Sequence, residues 1–142
     1  ETVTIQTVDG PEFRQTTDPG DRLPLQVSSM GKAILSALPE AEVSKLIAEI
    51  DFVAYTEHTV TDPGTLLQQI KTGREDGYVY QREEVDLGMN AIAVPVVGSA
   101  GRVLGAVAIA APLFRAEKED LIAQCDALKA AAHRLAVTLP AD

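Results

Sequence analysis

Two periodicities divide the chain. Residues 2–8 alternate Thr and Gln with Val and Ile, the period-two pattern of a half-buried strand. Asp9-Gly10-Pro11 carries turn chemistry, and residues 12–17 are expected to form the partner strand. Asp18-Pro19-Gly20-Asp21 reads as a loop. The pattern then becomes helical. Ser28 or Ser29 can cap a short helix that runs to about Leu38, where Pro39 stops it. A second helix fits residues 40–50, with Val43, Leu46, Ile47 and Ile50 on one face. Residues 55–61 follow neither period. Asp62 before Pro63 is a favoured helix start. Leu66, Leu67 and Ile70 give that helix an apolar side, and Gly77 suits its end.

Residues 78–82, 89–97 and 102–111 read as strands, the last two joined by Gly98-Ser99-Ala100-Gly101. Pro112 ends the sheet. One long helix is predicted over 116–139, its apolar stripe being Leu121, Cys125, Leu128, Ala132 and Leu135. The short connections make the sheet largely antiparallel, and the class is α+β. No repeat, low-complexity tract or linker divides residues 1–142, so a single domain is expected.

Pairing the last two strands so that Val97 faces Arg102 sets Ala93 opposite Ala106, Ala91 opposite Ala108 and Met89 opposite Ala110. All lie on one side, because side chains alternate. The other side carries Ile92, Val94 and Val96 with Val103, Val107 and Ile109, a core face. The alanine side leaves room for a close neighbour. A packed helix, such as the alanine-rich C-terminal one, would fill it. So would a ligand over a floor of methyl groups, lidded by Met or Tyr. Periodicity leaves both open.

Composition changes this picture in three places. At 142 residues, 46% hydrophobic and 23% charged, the chain can bury a real core. Its net charge of −9, with Lys and Arg scattered, repels phosphate backbones, so DNA is not expected as a direct partner of this domain. The single cysteine, Cys125, excludes an internal disulfide and points to a reducing, cytoplasmic setting. No apolar run is long enough for a membrane span, and no signal peptide is visible. The chain opens on Glu1, which reads as a piece of a longer protein.

Catalytic chemistry is thin. Gly31-Lys32 lacks the glycine that a phosphate loop carries five residues earlier, where Gln26 stands. Lys32 is therefore expected to be a solvated helix residue. Glu83, Glu84 and Asp86 form an acidic cluster without metal-ligand spacing, expected at a solvated strand end. His58 lies in a loop and His133 on a polar helix face. Cys125 reads as a small buried hydrophobe. No catalytic residue, metal or cofactor is assigned, and no enzyme is expected. An unrecognised hydrolase or lyase is the enzymatic alternative.

Several segments, taken in order, resemble the effector domain of IclR-family transcriptional regulators. They are Leu23-Pro24-Leu25 with Ser29-Met30-Gly31-Lys32-Ala33-Ile34-Leu35, then Tyr55-Thr56-Glu57-His58-Thr59-Val60-Thr61-Asp62. Arg74-Glu75-Asp76-Gly77-Tyr78 with Glu83-Glu84 and Gly88 follows, and then Ile92-Ala93-Val94-Pro95-Val96 and Ala110-Ala111-Pro112. The resemblance covers nearly the whole chain. It implies a GAF-like domain with a curved, mainly antiparallel sheet, flanking helices and a long C-terminal helix. It also implies a homodimer or homotetramer, and operator DNA held by an N-terminal winged helix-turn-helix that this chain lacks.

In that family small oxo-acids are held by an acidic group, a thiol and two hydroxyls. Aligned on Gly88 and Pro112, those sites fall on Gln81, Ala91, Ala108 and Ala110, so three of the four have become alanine. Ser29, Met30 and Met89 would complete the wall. Free N–H groups at the helix start, Ser29 to Gly31, would favour an anion. The implied partner is a small organic effector with a larger apolar body, aromatic or alkyl, and one carboxylate. An oligomerisation module without a ligand is the alternative.

Overall fold

Local chemistry sets the helix ends where the sequence places them. In a computed structural model that describes residues 1–12, 14 and 17–140, the first helix, α1, spans Ser29–Ala37. The Ser28 hydroxyl accepts from the Gly31 N–H at 3.0 Å and so caps it. Helix α2 is Glu40–Ala48, with Val43 and Ile47 buried. Helix α3 is Pro63–Asp76. The Asp62 carboxylate accepts from the Thr65 N–H at 2.8 Å, and Gly77 ends α3 in the left-handed region at φ +76°. Leu66 and Ile70 are buried as expected, but Leu67 faces outward.

The N-terminal strand is much shorter than expected. Strand β1, Thr2–Val3, pairs antiparallel with β2, Arg22–Leu23. Beyond it, the Thr4 N–H donates to the Asp21 carbonyl and the Gly20 N–H donates to the Thr4 carbonyl. Residues 20–23 thus supply the backbone partners of residues 2–4. Of the partner strand expected over residues 12–17, residues 13, 15 and 16 lie outside the described residues. Ile5 and Val8 are exposed.

The main sheet runs β3 (Val79–Arg82), β4 (Met89–Val97), β5 (Val103–Pro112), in that order and antiparallel throughout. Its register corrects the expected pairing by two residues. Arg102 belongs to the turn, where its carbonyl accepts from the Gly98 N–H at 2.8 Å, so Val97 pairs with Val103. Leu104 is then bulged out, and Val96 pairs with Gly105. Ala93 therefore faces Ala108, Ala91 faces Ala110, and Met89 faces Pro112. Two single slips restore parity from Val96 to Met89, so those pairs keep their expected faces, but at the bulge Leu104 and not the expected Val103 packs on the core.

Each face has its own helix. Ile92, Val94 and Val96 pack on Leu121, Cys125, Leu128 and Ala132 of the C-terminal helices. Ala93, with Val79, packs on Ala33 of α1, and Met30, Ala106 and Ala108 close around them. The helix that fills the alanine face is thus α1, not the alanine-rich C-terminal one. Methyl-sized floors let a helix approach closely, and each large aliphatic residue buried contributes about 1.5–3 kcal/mol. The expected single C-terminal helix is two, α4 (Lys118–Ile122) and α5 (Cys125–Thr138). Between them the Gln124 N–H bonds to the Leu121 carbonyl three residues back. The buried stripe ends at Ala132; Ala136 packs next, and Leu135 is exposed.

Lys32 overturns its expected place in solvent. Its side chain is 0% exposed and forms an ion pair with Glu84, which is 5% exposed and joins β3 to β4. Burial pushes the Lys32 ammonium below its usual range, while Glu84 opposes that shift. Of the acidic cluster expected in solvent, only Asp86 lies there; Glu83 is half-buried. Glycine 31 sits one residue before Lys32. A Cβ on it would come within 2.3 Å of the Leu25 carbonyl oxygen, so only glycine lets α1 lie on that backbone.

Lys32→Met should cost about 3–5 kcal/mol in urea unfolding, because it strands a buried carboxylate. Lys32→Met with Glu84→Met should recover most of that loss; a double variant as weak as the single one would contradict a pairing role. Gly31→Ala should lower the thermal midpoint by several degrees, despite the higher helix propensity of alanine.

Candidate functional site

The residues singled out by resemblance come to one side of the main sheet. Gln81, Ala91 and Ala110 form a row across its three strands. Val79, Ala93 and Ala108 form the next row, and Met89 with Pro112 flanks the first. Ser29, Met30 and Gly31 open α1, which packs on all three strands. Ser29 is buried at 4%, Ala91 at 6% and Gln81 at 8%, while Met30, Met89, Ala108 and Ala110 are half-buried.

Two expectations about this face need correction. The methyl floor is not an empty hollow: Ala33 and Met30 cover its middle row, and Ala93 is fully buried. The Gly31 N–H is not free either, because the Ser28 hydroxyl takes it. Among the described residues, the Ser29 and Met30 N–H groups are the ones in the first turn without a partner.

Gln81 is fixed from within. Its side-chain oxygen accepts from the Glu84 N–H at 3.0 Å. The Thr59 hydroxyl donates to the Glu84 carbonyl at 2.7 Å, and the Thr56 hydroxyl donates to the Glu83 carbonyl at 2.5 Å. Gln81, Glu84 and Lys32 thereby link β3, the loop after it, the segment at 55–61 and α1. Sequence reasoning set Lys32 and Glu84 aside. The available signal was Lys32 as the one charge in a nine-residue helix of otherwise small and apolar residues.

Among the described residues, no group of three or more His, Cys, Asp or Glu could hold a metal. Cys125 is buried in the core, and His133 is exposed on the outer side of α5. Two surface hollows have none of Ala91, Ala93, Ala108 and Ala110 in their lining. One of about 710 Å³ sits between the β4–β5 turn and the end of α5, and a smaller one lies beside α3 and β3. No helix among the described residues is long and apolar enough to cross a membrane.

The loop after β3 is held by Glu83. Its backbone is left-handed at φ +56°, and its carboxylate accepts from the Gly88 N–H at 2.8 Å. That amide holds the carboxyl below its ordinary value of 4.5, with Arg82 and then His58 assisting. The folded chain thus binds the Glu83 proton more weakly than the unfolded chain. Its stabilisation is full above pH 4.5 and is lost as pH falls through the lowered folded value. Glu83→Gln should lower the thermal midpoint at neutral pH, and the gap to the parent should close on acidification below 4.5. A gap that stayed constant with pH would remove the ionised carboxylate from this role.

Comparison with known proteins identifies the family and the fold. The family described as "Bacterial transcriptional regulator IclR C-terminal" matches residues 1–137. The HTH-type transcriptional repressor AllR of Escherichia coli K12 is 32% identical over 120 residues, which is 84% of this chain and 44% of AllR. The chain therefore spans less than half the length of the curated relatives it matches. The Thermotoga maritima IclR structure superposes with a TM-score of 0.90 at 25% identity, over 96% of this chain and 56% of that one. The inducer-binding domain of PobR from Acinetobacter, a double mutant in complex with 3-hydroxybenzoic acid, gives a TM-score of 0.78 at 30% identity, over 89% of this chain and 73% of that one. These relatives are regulators and not enzymes. By its sequence match, its fold and the order of its motifs, the chain belongs to the IclR family as a C-terminal, effector-binding domain.

Proposed function

We propose that this domain senses a small organic acid with an apolar body, aromatic or alkyl, as part of a cytoplasmic homodimeric or homotetrameric regulator. Operator DNA is contacted by a winged helix-turn-helix outside residues 1–142. The observations that carry the reading are the row Gln81, Ala91 and Ala110 on the sheet face that α1 packs against, and the unbonded amides of Ser29 and Met30 at the start of α1. The amides suit one carboxylate. The methyl groups suit a ring or chain and offer nothing to extra polar atoms. Met30, Gly31, Met89 and Ala108 complete the wall. Met30 is flexible and half-buried, so a ligand enters by displacing it from the alanine face. The bound effector acts by shifting the arrangement of subunits.

The charge supports the division of labour, since a domain at −9 repels DNA. A second reading, an assembly module without a ligand, is favoured by one observation: α1 already covers the middle of the alanine face.

Calorimetry with this chain separates the two. A hydrogen bond to a charged ligand contributes roughly 1.5–3 kcal/mol, so losing several polar partners should weaken glyoxylate by about two decades relative to benzoate. Gln81→Ala should weaken the aromatic acid. Tighter binding of glyoxylate defeats the apolar-effector reading, and silence with every acid favours the assembly module.

A further inference from the structure

The hollow between the β4–β5 turn and the end of α5 has its own chemistry. It encloses about 710 Å³, within the range of small-molecule sites. Val97, Leu104, Ala136 and Leu139 line it, with Arg102 and His133 at hand. Neither Arg102 nor His133 makes an ion pair among the described residues, although the chain carries 21 acidic side chains. An unpaired guanidinium beside an apolar hollow, on a protein of net charge −9, complements an anion with an apolar tail.

The backbone around the hollow is unusual in two ways. Ala100, in its lining, is left-handed at φ +57°, a strained state for a residue with a Cβ. The β-bulge beside it displaces Leu104 by one residue, and Leu104 also lines the hollow. Both irregularities fall at this end of the hairpin. The alanine row lies on the opposite face of the sheet, and Met89 stands about 26 Å along β4 from Val97.

We infer that this hollow is a second ligand site, for an amphipathic monocarboxylate whose apolar tail lies on Val97, Leu104 and Ala136 and whose carboxylate meets Arg102. The guanidinium is charged at every physiological pH and presents a fork that matches a carboxylate. The tail displaces water from side chains that α5 leaves uncovered after Ala132.

Octanoate, with octanamide as its neutral counterpart, tests this by amide-resolved NMR titration of the 142-residue chain. Octanoate should shift the amides of residues 97–104 and 133–139. Arg102→Gln should weaken octanoate about tenfold or more and leave octanamide unchanged, the signature of a lost charged hydrogen bond. Val97→Trp should fill the hollow and abolish both; Val97 is exposed, and Leu139→Trp serves if that variant misfolds. Shifts confined to residues near Gln81 and Ala91 would overturn this site while supporting the proposed effector site. Equal affinity for acid and amide would overturn the role of Arg102. A dimer seen by sedimentation and dissociated by Val97→Trp would give the hollow to a second copy of the chain and so overturn the inference.

Discussion

The ion pair between Lys32 and Glu84 constrains the rest of the molecule. A buried ammonium and a buried carboxylate each lose several kcal/mol of hydration, and only close pairing offsets that loss. The pair is therefore formed or the fold opens around it. Once formed, it fixes α1 against the loop after β3, both along the helix axis and in rotation about it. Ala33 must then face the sheet, and Gly31 must lie on the backbone of Leu25. The alanines of β4 and β5 are the consequence. A sheet face with larger side chains would hold α1 too far away for Lys32 to reach its partner.

The same constraint explains why polar segments without secondary structure carry so much order. Thr56 and Thr59 donate to the carbonyls of Glu83 and Glu84, and Gln81 accepts from the Glu84 amide. These bonds hold the backbone that carries the buried carboxylate. Backbone polar groups beside a buried charge cannot be left unpaired, and irregular loops reach them where helices and strands do not. Gln81 faces the candidate effector row and also touches this network.

The sheet separates two environments. On one side, bulky β-branched residues meet the C-terminal helices in a dry core. On the other, small residues meet α1 in a thinner contact that depends on Met30. Deforming the first face costs large cavities, whereas deforming the second moves one flexible side chain over methyl groups. Past Ala136 the end of α5 belongs to neither environment, and Val137 and Leu139 remain in contact with solvent.

Much of this was legible in the order of residues. The helix ends at Ser28, Asp62 and Gly77 follow from short-range hydrogen bonds and backbone sterics, which involve neighbours in the chain. The bounds of β4 and the faces of β4 and of β5 beyond its bulge follow from alternation, which survives a misjudged register; at the bulge Leu104 takes the core place expected of Val103. What depended on the tertiary structure was everything set by distant partners. The two-residue slip arose from Arg102 joining the turn and Leu104 bulging, a choice between nearly equal local geometries decided by packing on α5. The break at Gln124 has no proline or glycine to announce it. The identity of the helix on the alanine face was open, because small residues welcome any close neighbour. Lys32 and Glu84 read as surface residues, since a charge looks solvated until its partner, 52 positions away, is brought beside it. Burial of a charge is a property of a pair, and the linear sequence does not show which residues will meet.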